Sequence, residues 1–152
     1  MKFPEITGEN LEKKKYTIPY DLEGELNVVI VPFQRWHQSL VDEWSVFLNS
    51  IEQRDLNFRY YEVPTLNSAY KAMRFMIDGG MRAGIPERGV RERTITLYTN
   101  KPLFEKQLSI TSEDTIYLFL IRKNGEILWR SEGEFDAQKG DDLLETIEKL
   151  NV

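Results

Sequence analysis

Lys123-Asn124-Gly125 sits between two β-like runs, Ile116–Arg122 and Glu126–Arg130. An Asn-Gly step in that setting favours the type I′ hairpin turn, whose positive φ angles match the twist of the flanking strands. The chain is thereby committed to an antiparallel strand pair near its C-terminus. After the pair, Leu143, Leu144, Ile147 and Leu150 recur on one face of a closing helix, its start marked by Asp141 or Asp142 after Gly140.

Upstream, strands and helices alternate. Asn27–Val31 is a β-branched run without alternation, ended by Pro32, as expected of a central strand buried on both faces. From Ser39, the residues Leu40, Val41, Trp44, Phe47, Leu48 and Ile51 share one helix face, while Asp42, Glu43 and Glu52 take others. Phe58–Val63 reads as a strand ended by Pro64, with Arg59 and Glu62 pointing outward. Ser68 can cap a second helix with Ala69, Ala72, Met73, Met76 and Ile77 inside and Gly79-Gly80 as a left-handed exit. Met81–Glu92 reads as a long exposed loop or a short helix within one. Thr94–Tyr98 is a strand, and Asn100 with Pro102 opens a short helix through Leu108. This order, joined by right-handed crossovers, predicts an α/β fold, a three-layer α/β/α sandwich with a central mixed sheet. The polar residues 1–26 are expected as an extended N-terminal segment and 27–152 as a single domain.

Composition removes several chemistries. The chain has 152 residues, 41% hydrophobic and 30% charged, which fits one globular domain. With no cysteine there is no disulfide, thiolate metal site or cysteine nucleophile, and one histidine leaves no histidine cluster. A net charge of −5 opposes nucleic acid and anionic lipid as partners. Apolar runs such as Val28–Val31 fall far short of the roughly twenty residues of a spanning helix, so no stable membrane insertion is expected. The start, Met1-Lys2-Phe3-Pro4-Glu5, lacks a signal-peptide core, which makes the cytoplasm the expected compartment. No cofactor is expected.

Residues 94–150 follow the second half of the thioredoxin-like superfamily: strand, short helix, hairpin, amphipathic helix. Val31-Pro32-Phe33-Gln34-Arg35-Trp36-His37 is similar to the strand-to-helix turn where thioredoxins carry an aromatic-Trp-Cys segment. Aligned on that tryptophan, His37-Gln38-Ser39-Leu40 stands where the family has Cys-x-x-Cys, and Ser112-Glu113-Asp114-Thr115-Ile116 lacks the family's proline. Thiol–disulfide exchange needs a thiolate, so the resemblance implies the fold without the redox activity. Residues 60–133 further resemble the mitochondrial ATP-synthase assembly-factor family that assists membrane subunit 6. The resemblance rests on Tyr61-Glu62-Val63-Pro64, Arg82 with Ile85-Pro86, the Thr96–Leu108 segment, Ile116–Leu120, Gly125, Ile127 and Trp129. It implies a chaperone-like or assembly module.

The expected binding residues are Phe33, Arg35, Trp36, His37 and Ser39 in the first turn, and Arg82, Arg88 and Arg91 in the glycine-rich segment. Histidine suits acid–base work near neutrality, yet a structural role for His37 is the stronger expectation. The arginines, with Arg93, leave a local +2 against Glu87 and Glu92; they either solvate a surface loop or recognise an acidic peptide or small anion. Trp44 and Trp129 are expected in the core and Trp36 at the surface. The leading expectation is a redox-inactive domain that binds an unidentified protein or peptide. The alternative is a small-molecule or anion-binding protein, or a non-thiol enzyme using His37, Arg35 and a loop arginine.

Overall fold

In the computed structural model, which describes residues 1–150, the chain opens with a hairpin of β1 (Ile6–Asn10) and β2 (Lys15–Ile18). Next come β3 (Leu26–Val31), a 3-10 turn (Arg35–His37), α1 (Gln38–Arg54), β4 (Phe58–Glu62), β5 (Thr65–Asn67) and a second 3-10 turn (Ser68–Met73). The remainder is α2 (Arg74–Gly84), α3 (Arg88–Arg93), β6 (Ile95–Thr99), α4 (Lys101–Gln107), β7 (Tyr117–Arg122), β8 (Ile127–Glu132) and α5 (Ala137–Leu150). Residues 151 and 152 of the expected domain lie outside the described residues.

β3 is the axis of the fold, and all six of its residues are buried. It pairs in parallel with β4 and antiparallel with β7, in register from Leu26 opposite Arg122 to Val31 opposite Tyr117, within a sheet ordered β4-β3-β7-β8. A second sheet is ordered β2-β1-β6-β5. The run Phe58–Asn67 serves both: Val63 N donates to Ile30 O at 2.7 Å, and Leu97 N donates to Pro64 O at 2.9 Å. Side chains of β3 and β7 alternate between two apolar cores. Val28, Ile30, Leu118 and Leu120 meet Trp44 and Leu48 of α1 and Leu143 and Ile147 of α5. Val29, Val31, Phe119 and Ile121 meet Phe104 and Leu108 together with Phe3, Tyr16, Ile18 and Leu22. The chain is thus an α/β fold of the thioredoxin-like kind, with its second outer layer built partly by the N-terminal hairpin.

Several local expectations change. Residues 1–26 are a hairpin whose side chains complete one core, so the division at residue 26 cuts through packed structure. The β7–β8 hairpin forms, but Asn124 does not have positive φ; only Gly125 does, at 92°, with Gly125 N donating to Arg122 O at 2.9 Å. That is a type I turn closed by a glycine bulge, in place of type I′. Asn67, not Ser68, caps the next segment through a bond from Ala69 N, and α2 runs through Gly79-Gly80 to Gly84. α5 starts earlier than expected, with Lys139 N bonded to Asp136 Oδ1 at 2.9 Å. Gly140 lies inside α5, at a position where a Cβ would stand 3.0 Å from Phe47 and 3.1 Å from Phe135. Among the described residues no helix is long and apolar enough to cross a membrane.

Candidate functional site

The parallel strands β3 and β4 end side by side at Val31 and Glu62, and a cleft of about 820 Å³ opens beyond their carboxyl ends. Open α/β sheets leave their crevices in this position. Pro32, Phe33, Arg35 and Gln38 form one side, and Glu62, Pro64, Thr65 and Leu66 form the floor. Tyr70, Met73, Met76, Ile77 and Met81 form the opposite wall.

That wall is unusual for a helix so apolar, because α2 contains no buried residue. Tyr70 is 51% exposed and Met76 71%; Phe75, on the other face of the helix, is 82% exposed. Polar tethers hold α2 instead. Asp78 accepts from the Tyr98 hydroxyl at 2.6 Å, from Thr96 Oγ1 at 2.8 Å and from Arg74 Nε at 3.4 Å. Arg82, one turn on, pairs with Glu12 at 3.0 Å. These bonds fix the helix by one side and leave its methionines facing open space across the cleft.

Among the described residues Glu62 is the one acidic side chain lining the cleft, and it is only 7% exposed. Burial pushes its carboxyl up to about 7; the neighbouring Asp42 charge pushes the same way, and the Gln38 side chain opposes both. The expectation that Glu62 points outward is therefore corrected. Strand side chains repeat every two residues, so Glu62 shares the face of Phe58 and Tyr60, which pack under α1. Arg59 alone fits the outward reading, being half-buried. The alternation was the signal that could have found Glu62; the apolar stretch of α2 carried none to say that it would stay uncovered.

The other expected site residues are dispersed. His37 is fully buried, not at an exposed mouth, and its Nδ1 accepts from Phe33 N at 3.0 Å and Gln34 N at 3.2 Å. It closes the turn from β3 into α1, and Nε2 is buried without a hydrogen-bond partner. Burial lowers its pKa, with the backbone and charge of Asp114 opposing, so the imidazole is neutral and its acceptor nitrogen is occupied. Trp36 is 56% exposed, its ring beside His37 and its Nε1 bonded to Gln34 Oε1. Ser39 is exposed and bonds back to Trp36 O. Neither lines the cleft, whereas Phe33 and Arg35 do.

Each of the arginines has an acidic partner within the protein, though Arg88 stays largely exposed. Glu12 takes both Arg82 and Arg91, the latter at 3.2 Å, and Arg91 also donates to Ile85 O and Pro86 O. Arg88 pairs with Glu92 at 3.5 Å, and Arg93 grips Glu52 with two bonds while stacking on Tyr60. None of Arg82, Arg88 and Arg91 reaches the cleft, and Arg82 and Arg91 share the one carboxylate of Glu12. Among the described residues no group of three or more His, Asp and Glu side chains is placed to hold a metal ion.

A family model described as ATP10 protein matches residues 1–150. No curated protein matches the sequence. Among solved structures, BsSco, a member of the Sco family of cytochrome c oxidase assembly proteins, is similar with a TM-score of 0.63 at 12% identity, covering 97% of this chain and 92% of that one. Yeast Sco1 with copper bound gives 0.63 at 10% identity, covering 95% and 91%. The thioredoxin domain of thiol-disulfide oxidoreductase BVU-2223 from Bacteroides vulgatus gives 0.62 at 20% identity, covering 99% and 95%. At such identities the likeness is one of fold. This chain has the thioredoxin-like fold with no cysteine in it.

Proposed function

The chain belongs to the ATP10 protein family, and from that premise we propose that it is an assembly module of the ATP synthase that holds an apolar segment of an unassembled membrane subunit in the cleft between α2 and the ends of β3 and β4. One observation carries this reading: an apolar helix with no buried residue faces an open cleft of about 820 Å³. Contiguous exposed apolar surface marks interaction sites in proteins that otherwise bury such groups. Methionine adds to this, since its flexible thioether adapts to varied partners. The same end of the fold holds the His37 turn, which has no sulfur for exchange chemistry.

The test places a photo-crosslinking amino acid at Met76 in the living cell, with Val46 on α1 as an equally exposed control. A crosslink from position 76 to a membrane subunit of the ATP synthase, absent from position 46, is the expected result. Deleting the gene should lower the amount of assembled synthase on native gels, and the wild-type gene should restore it. Undiminished assembly, with equal crosslinking from both positions, would overturn the reading.

A further inference from the structure

Resting on that reading of the cleft, we propose that the segment it takes carries one basic side chain, a lysine or arginine, which pairs with the carboxylate of Glu62 on the cleft floor. Glu62 is 93% buried by its 7% exposure, lines the cleft, and has no ion pair among the described residues. Every element packed around it fails to supply a cation. From α1 come Asp42, a second acid, and Gln38, a neutral amide that donates to Asp42 Oδ1 at 2.9 Å and also hydrogen-bonds the Glu62 carboxyl without supplying a charge. From its own strand comes Tyr60, and the guanidinium stacked on Tyr60 belongs to Arg93, held at 2.9 and 3.0 Å by Glu52. Thr65 and Thr94 are neutral. Arg35 lines the cleft but is exposed, and it is not among the groups that shift Glu62.

A carboxylate so enclosed is costly when unpaired and favourable once a cation reaches it with good geometry. The rest of the cleft says what must bring that cation. Tyr70, Met73, Met76 and Ile77 require an apolar carrier, and a cleft of about 820 Å³ is more than a small amine fills. Gly80 and Gly84 line the α2 wall with nothing within 4 Å of where a Cβ would stand, so a partner backbone can approach closely. The occupant is therefore an apolar polypeptide segment with a single positive charge set into it.

The experiment is selection of a displayed library of random twelve-residue peptides on the full chain, repeated on Glu62→Gln and on Met76→Glu, with all three proteins checked for folding by thermal melting. The expected result on the wild type is enrichment of apolar peptides with one lysine or arginine at a fixed place. Glu62→Gln should keep the apolar pattern and lose the basic residue. Replacing that basic residue by glutamine in one enriched synthetic peptide should weaken binding at least about tenfold on the wild type and little on Glu62→Gln. Apolar peptides without a basic preference, or a basic preference that survives in Glu62→Gln, would overturn the charge pairing while leaving the cleft reading intact. Enrichment unchanged in Met76→Glu, or no enrichment at all, would overturn both.

Discussion

Substituting Glu62 by glutamine should make the protein more stable, and the gain should depend on pH in a direction set by burial. The carboxyl is raised from 4.5 to about 7, chiefly by burial and then by the Asp42 charge. Between those pH values the folded chain holds a proton that the unfolded chain has already released. Stability must therefore fall as pH rises through this window, with the whole penalty present above about pH 7. The shift corresponds to about 3 kcal/mol, and at 7% exposure little solvent screening reduces it. Glutamine keeps the shape and abolishes the charge. The Glu62→Gln chain should match the wild type near pH 4.5 and exceed it by about 3 kcal/mol at pH 8, a rise in Tm of roughly 6–12 °C at this chain length. Urea unfolding of both proteins from pH 4.5 to 8.5 measures this. Glu105, also raised to about 7 by burial and by its hydrogen bond with Glu113, titrates in the same window, but it is common to both chains and cancels in the difference. A difference that stays flat with pH, or is absent at pH 8, would refute the reasoning by showing that water in the cleft solvates the carboxylate. A residue that weakens the free protein fits a surface shaped for binding.

His37→Phe should cost about 2–3 kcal/mol at pH 7.5, because two backbone N–H groups lose their acceptor. The wild-type imidazole is held neutral, so its share of stability is present above pH 6.5 and is lost as pH falls below it; unfolding at pH 5 and 7.5 should show a shallower acid slope in the variant. Two glycine-to-alanine changes should have opposite signs in thermal melting: Gly80→Ala, in open space on a helix, gains up to about 1 kcal/mol. Gly140→Ala forces the Phe47 and Phe135 rings apart and loses about 1–2 kcal/mol. Asp78→Ala removes the acceptor for Tyr98, Thr96 and Arg74, so amides of Arg74–Gly84 should exchange faster while those of β3 and β7 keep their protection.

Much of the fold was legible because its signals are local. The all-apolar run at Val28–Val31, the one-sided helix from Val41 to Ile51 and the Asn124-Gly125 turn each depend on a few neighbouring residues, and each element is present. The turn type was misread because Asn-Gly also serves a type I turn with a glycine bulge, and the choice lies in the φ of Asn124. Residues 1–26 look polar in sequence, yet Phe3, Tyr16, Ile18 and Leu22 are spaced so that only pairing of β1 with β2 and β6 gathers them into a core. The arginines looked free because their partners, Glu12 and Glu52, lie far away along the chain.

The sequence by itself determined the order of the main strands and helices from β3 onward and, by its lack of cysteine, excluded the exchange chemistry common on this scaffold; both follow from residue type and short-range periodicity. Tertiary structure alone decided that Glu62 and the apolar face of α2 meet across an open cleft. β4 hands over to β5 at Val63-Pro64, which sets the end of one strand opposite a helix beginning twelve residues later. An apolar side chain becomes a binding surface only when no other element covers it, and a carboxyl becomes strained only when its neighbours withhold a cation. Both conditions concern what is absent nearby in space, and no local pattern in a sequence encodes that.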